Sequence, residues 1–188
     1  KKGFVYKKRD ITSILFLEKS IEITIKKFRP SHRRAVKTAR SKGVMVSESE
    51  KYDEYYKILQ KNLSKRHGVN PTHTLIELKK LKTIFKDKIK LFSAFIDGKM
   101  IAGIVNFIIN DQVVLAFYIS HDELFNQYRP LNILFYKVFS WAIDSKYKVY
   151  DFGIFTVNGE PNMGLGRFKE NFGASGIFRD TIELKFNK

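Results

Sequence analysis

Three apolar stretches in succession, residues 89–96, 100–109 and 113–120, have Asp97-Gly98 and Asn110-Asp111 as tight turns between them. Asp-Gly and related pairs tolerate the positive φ that tight hairpin turns require. A chain with this centre forms a three-stranded antiparallel meander, and the remaining residues must cover its faces.

Those residues supply the cover. Residues 52–63 place Tyr52, Tyr55, Tyr56 and Leu59 along one helical stripe. Residues 65–70 form a loop. A further helix, starting at Pro71 or Thr72, turns Leu75, Ile76, Leu78, Leu81, Ile84 and Phe85 inward. Upstream, residues 14–17 predict a short buried strand, and Ser20 caps a helix over 21–28 whose β-branched residues weaken it. Pro30-Ser31 opens a helix over 32–42 that Gly43 ends, and 44–46 is a short strand. Downstream, Pro130 opens a helix over 131–145. Residues 149–152 form a strand ended by Gly153, 165–172 a short helix and 176–186 a final strand. The fold class is α/β in its α+β form, a mostly antiparallel mixed sheet flanked by helices. No repeat or linker divides the 188 residues, which read as one domain.

Lys and Arg number 35 against 19 Asp and Glu, a net charge of +16. Such an excess attracts nucleic acid, phosphorylated substrates or acidic lipid; it also fits a solvated, lysine-rich surface. With no Cys, disulfides, thiolate metal sites and a Cys nucleophile are excluded. His32, His67, His73 and His121 are dispersed, so no metal site is expected. Ser120-His121-Asp122 is no triad, because neighbours on an extended chain face opposite ways. No apolar run approaches the ~18 residues of a membrane span. The start, Lys1-Lys2-Gly3-Phe4-Val5-Tyr6, is too polar for a signal peptide. The expectation is a cytoplasmic location, with peripheral contact on the cytoplasmic face of the membrane.

Four ordered stretches carry a family resemblance. They are His32 to Val44; Ala94 to Gly103 within the meander; Tyr118-Ile119-Ser120 followed by Tyr128 to Phe135; and Tyr150-Asp151-Phe152-Gly153 followed by Gly164 to Gly173, with Arg167-Phe168-Lys169 and Phe172-Gly173. Together they resemble the C-terminal domain of Fem-type peptidyltransferases and their acetyltransferase-like relatives in the GNAT superfamily. Relatives of full length carry a further N-terminal domain, so the resemblance implies that residues 1–188 are one domain of a longer, two-domain protein. It implies transfer of an activated acyl or aminoacyl group to an amine. Aminoacyl-tRNA or acyl-CoA would be the donor, and a phosphorylated cell-wall precursor the acceptor. Ordinary GNAT enzymes cradle the pyrophosphate of coenzyme A in a Gly-containing loop. Here Asn126 to Asn132 holds no Gly, which weakens coenzyme A as donor.

Such chemistry needs a proton acceptor, donors for an oxyanion and cations for phosphates. The resemblance assigns Lys169 to phosphate contact, with transition-state charge as a further role; the alternative is a surface Lys on a short helix. Phe168, with Phe172, is core or a wall of the pocket, and Phe168 and Arg167 are candidates for substrate binding. Arg33, Lys37 and Arg40 share a helix face, with Arg34 adjacent. They form either a phosphate clamp, as the resemblance implies, or a solvated surface. Asp151 accepts the amine's proton or is a turn carboxylate. Tyr118 donates to the oxyanion or is an ordinary sheet residue. Asp151-Phe152-Gly153 also matches a kinase string, but no His-Arg-Asp or Gly-rich phosphate loop precedes it. Two further readings stand beside the transferase: a non-catalytic basic module that binds RNA, and a degenerate GNAT domain whose partner domain holds the site.

Overall fold

The computed structural model describes residues 3–184. In chain order the elements are β1 (Phe4–Phe16), α1 (Ile21–Thr24), α2 (Pro30–Ser41), β2 (Met45–Ser49), α3 (Tyr52–His67), α4 (Leu75–Phe85), β3 (Ile89–Ile96), β4 (Lys99–Ile108), β5 (Val113–His121), α5 (Pro130–Asp144), β6 (Val149–Ile154), β7 (Thr156–Val157), β8 (Glu160–Pro161), α6 (Met163–Glu170) and β9 (Ser175–Leu184). Seven strands form one sheet in the order β2-β3-β4-β5-β6-β1-β9, and β7 and β8 make a small hairpin. The meander strands β3, β4 and β5 are neighbours in that order, as their turns require. All pairings in the sheet are antiparallel except β5 with β6. The α/β class with a mostly antiparallel sheet is therefore the observed one.

The sheet is covered on both faces. On one, α2 and α5 pack together around Phe28, Phe135, Phe139, Phe152 and Phe172, whose rings meet largely edge-on or tilted. Such pairs add roughly 0.5–1.5 kcal/mol each beyond burial. On the other, α3 and α4 cover Leu91, Met100 and Val105 with Tyr52, Tyr55, Leu59 and Leu78. Tyr55 lies so close to β4 that a Cβ on Gly103 would come 2.4 Å from its ring. Among the described residues no helix is long and apolar enough to cross a membrane.

Several local expectations need correction. The predicted strand at 14–17 is the last part of a 13-residue strand, β1. Its first half pairs only with β9, and this two-stranded ribbon is exposed, so no buried face printed an alternation on the sequence. The helix at 21–28 is a four-residue turn followed by a 3-10 turn over Ile25–Lys27. α3 runs on to His67, through the start of the predicted loop, and Gly68 at φ 65° ends it. α4 starts after Thr74 rather than at Pro71 or Thr72, because Thr74 and Glu77 form a reciprocal capping box. Ile76, Ile84 and Phe85 are exposed, not inward: α4 buries a narrow stripe centred on Leu78. β6 continues past Gly153 to Ile154, and α6 begins at Met163. The last strand is β9; residues 185 and 186 of its predicted span lie outside the described residues.

Candidate active site

β5 and β6 run side by side only at Val113–Val149, Val114–Tyr150 and Leu115–Asp151. Beyond these pairs β5 continues to His121 and β6 to Ile154 without pairing to each other. Two irregularities open them. The register of β4 with β5 slips so that Phe117 has no partner, a bulge that bends β5. At the end of β6, Gly153 takes φ +75°, a backbone state that favours glycine.

A cleft of about 590 Å³ lies at the opened ends, within the size range of small-molecule sites. Leu59, Leu63, Leu131, Leu165 and Phe168 form apolar walls, and Asn62, Ser120, His121 and Asn126 supply polar groups. A hollow of about 170 Å³ shares His121, Asn126, Leu131 and Phe168 with it and adds His32, Arg129 and Asn132. Two helices begin here with the same dipeptide, α2 with Arg29-Pro30 and α5 with Arg129-Pro130. Pro suits the first helical position because its missing N–H would have no helical partner. The third residue of each helix meets the other: the Asn132 amide donates to His32 Nδ1 at 2.9 Å. Two positive helix ends therefore converge at one opening. Burial pushes the His32 imidazole down, and the charges of Arg29 and Arg129 push the same way.

The cleft's frame is tied by polar contacts. Asn62 Nδ2 donates to Ser120 Oγ at 3.0 Å and to the His121 carbonyl at 3.4 Å. Lys65 and Arg66 both grip Glu123, holding its carboxyl down to about 2. These contacts fasten the end of α3 to the segment after β5. His121 Nε2 lies 2.7 Å from Asn126 Oδ1.

The residues singled out from sequence fall into three groups. Asp151 and Lys169 come together at the end of β6. Asp151 is buried and accepts from the Thr12 hydroxyl at 2.6 Å, the Gly153 N–H at 2.7 Å and the Arg179 guanidinium at 2.7 Å. Lys169, 2% exposed, donates to the carbonyls of Gly153 at 2.6 Å and Ile154 at 2.8 Å. Burial pushes its ammonium down to about 8, against the opposing charge of Asp151. The two side chains thus hold the N–H and the C=O of Gly153, and neither is among the lining residues of the cleft. Phe168, next to Lys169, lines both the cleft and the hollow, and Arg167 is exposed on α6. Tyr118 lies elsewhere: its hydroxyl accepts from the His73 backbone N–H at 3.2 Å and sits 3.0 Å from His73 Nδ1, beneath α3 and α4.

The basic face of α2 is divided as well. Arg33 folds back onto the carbonyls of Lys26 and Phe28, and Arg40 stacks over the Tyr136 ring. Arg34 and Lys37 are exposed, without a carboxylate partner among the described residues. Sequence reasoning missed His121, Asn62, Asn126 and Arg129 as lining groups; the parallel pairing of β5 with β6, the one departure from antiparallel order among the described strands of the sheet, is the feature that marks their position.

Residues 26–170 match the sequence profile of the Acetyltransferase (GNAT) domain family. The chain belongs to this family. Among curated proteins none matches the chain. Among solved structures this GNAT domain is similar to FemX, with a TM-score of 0.79 at 14% identity over 95% of this chain and 65% of that one. It is similar to the C-terminal domain of a protein described as a lysylphosphatidylglycerol synthetase from Agrobacterium fabrum, with a TM-score of 0.68 at 13% identity over 96% of this chain and 60% of that one. L-PGS from Bacillus licheniformis gives a TM-score of 0.64 at 12% identity over 96% of this chain and 61% of that one. The chain therefore spans less than two thirds of each of these three chains. At such identities the likeness is one of fold, and it is the Fem-type GNAT fold that the motifs at Asp151 and Lys169 pointed to.

Proposed function

We propose that this GNAT domain transfers an activated aminoacyl or acyl group to an amine, and that the 590 Å³ cleft is where the two meet. The observation that carries the reading is the opening between β5 and β6 after three paired positions, with the Arg129-Pro130 start of α5 and His32 from the first turn of α2 lining the adjoining hollow. An opened sheet exposes backbone groups to a carbonyl, and the helix ends favour the negative charge of a phosphate or an oxyanion.

Aminoacyl-tRNA fits the donor side better than acyl-CoA. The segment that would cradle a pyrophosphate, Asn126 to Asn132, contains no Gly and has Pro130 where a backbone N–H would otherwise point outward. A lysylphosphatidylglycerol synthetase, by its name, joins an amino acid to a hydroxyl-bearing lipid. The Fem-type resemblance favours a phosphorylated cell-wall precursor as acceptor here. Phe168, Leu131 and Leu165 would hold the apolar part of the substrate. Arg129 would attract the precursor's phosphates, Arg34 and Lys37 further along α2 those of the tRNA, and Arg167 would act from α6. Asp151 and Lys169 fix the end of β6 and so position the opening. Domain 1–188 would act as one part of a longer protein.

The test incubates the full-length protein with a panel of charged tRNAs or acetyl-CoA and a muramyl pentapeptide precursor bearing a free amine. The expected result is a mass gain of one aminoacyl residue on the precursor with a charged tRNA. Salt-sensitive RNA binding with no mass gain for any donor would replace the transferase reading with that of a binding module.

A further inference from the structure

We infer that His121 Nδ1 takes the proton from the attacking amine and passes it to the leaving group. The inference rests on the proposed transfer and adds the residue that handles its proton. His121 is a lining residue of both the cleft and the adjoining hollow, so it stands where a donor in one and an acceptor in the other would meet.

The ring's hydrogen bonding decides which nitrogen is available. Asn126 Oδ1, 2.7 Å from Nε2, is an acceptor, so Nε2 carries the proton and Nδ1 the lone pair. His32, across the hollow, is arranged the other way: its Nδ1 lone pair is taken by the Asn132 amide. The remaining candidates are engaged too. Asp151 accepts three hydrogen bonds, Lys169 donates to two carbonyls, and the Tyr118 hydroxyl is tied to His73. The charged groups around His121 are Asp122 and Glu123, which follow β5, Lys61, Lys65 and Arg66 of α3, and Arg129 at the start of α5. Lys61, Lys65 and Arg66 pair with Asp122 and Glu123. Burial keeps the imidazole below its usual range; the bond to Asn126 opposes this, Arg66 reinforces it, and Glu123 and Asp122 oppose it. At neutral pH the ring is therefore a base rather than an acid.

The step balances. The acceptor nitrogen forms a bond to the acyl carbon, and the ester C–O bond to the ribose of the donor breaks. The amine's proton moves to Nδ1 and from there to the departing ribose oxygen. No other reactant is needed.

Two measurements test this. Nitrogen-15 spectra of histidine-labelled protein above pH 7 should show His121 with its proton on Nε2, and Asn126→Ala should lose that preference. In the transfer assay, with alanyl-, seryl- and lysyl-tRNA as donors, His121→Gln should lower kcat about 100-fold or more while leaving KM for the donor within a few-fold. The acid limb of the kcat profile should vanish in His121→Gln, whereas Asn126→Asp should shift it to higher pH. A proton found on Nδ1, or wild-type kcat with an unchanged pH profile in His121→Gln, overturns the assignment and leaves the transferase reading intact. Absence of transfer by the wild-type protein with every donor removes both.

Discussion

At the scale of single residues, the side chains with the strongest sequence signal serve as a clamp. Asp151 and Lys169 were singled out by type and motif, but a one-dimensional pattern does not say where hydrogen bonds go. In the fold they seize the N–H and C=O of Gly153. This gives a pH signature. In the folded protein Lys169 titrates at about 8, against 10.5 for an ordinary lysine. Below pH 8 it is protonated both folded and unfolded, so it contributes no slope and the cost of burying the ammonium is fully present. Between 8 and 10.5 the unfolded chain holds a proton that the folded one has released, so stability rises with pH, by at most about 1.4 kcal/mol per unit. Urea unfolding of wild type and Lys169→Met at pH 7, 9 and 10 should show their difference moving in favour of wild type as pH rises; a constant difference would contradict the burial of this ammonium. A second residue is fixed by space. Gly103→Ala would put a Cβ 2.4 Å from the ring of Tyr55, which is fully buried. The expected loss is about 1–3 kcal/mol, measured by the same unfolding, and it should shrink in a Tyr55→Leu background. Equal losses in both backgrounds would place the strain elsewhere.

At the scale of elements, local chemistry accounts for what the sequence disclosed. The meander is legible because Asp97-Gly98 and Asn110-Asp111 dictate turns and the strands between them are buried. α5 is legible from Pro130 and its apolar face. β1 escapes because most of its first half pairs in an exposed ribbon with β9, so burial leaves no alternation in Phe4 to Arg9. The start of α4 was misplaced because Pro71 drew the boundary, whereas Thr74 and Glu77 hold it. The cleft was least legible. It depends on a register slip at Phe117, which has no compositional mark, and on two proline-marked helix starts whose meeting in space the sequence does not show. The capping box makes its own prediction. Thr74→Ala removes the acceptor for the Glu77 N–H and should cost about 1 kcal/mol. Amide exchange should quicken first across Leu75 to Phe85, while the β3–β4 amides keep their protection. Uniform acceleration through the sheet would show that α4 does not open as a local unit.

At the scale of the whole molecule, a charge of +16 would steer the proposed anionic donor. Some of the cations are paired locally: Lys65, Arg66, Lys79, Lys90, Arg9 and Arg179 each have a carboxylate. Arg34 and Lys37 do not, among the described residues, and they stand exposed on α2, the helix whose first turn borders the hollow. If a charged tRNA lies along α2 with its acylated end in the cleft, each phosphate neutralised releases condensed counterions. The logarithm of affinity then falls linearly with the logarithm of salt, by roughly 0.7–0.9 per contact. The double variant Arg34→Glu, Lys37→Glu should weaken tRNA binding and reduce the magnitude of that slope by about 1.5, the equivalent of two contacts. Both residues lie outside the cleft, so the rate of transfer at saturating donor should change little. Filter binding at several salt concentrations, alongside single-turnover transfer, separates the two effects. An unaltered slope would mean that this face of α2 is merely solvated and that the donor approaches from the Arg167 side of the cleft.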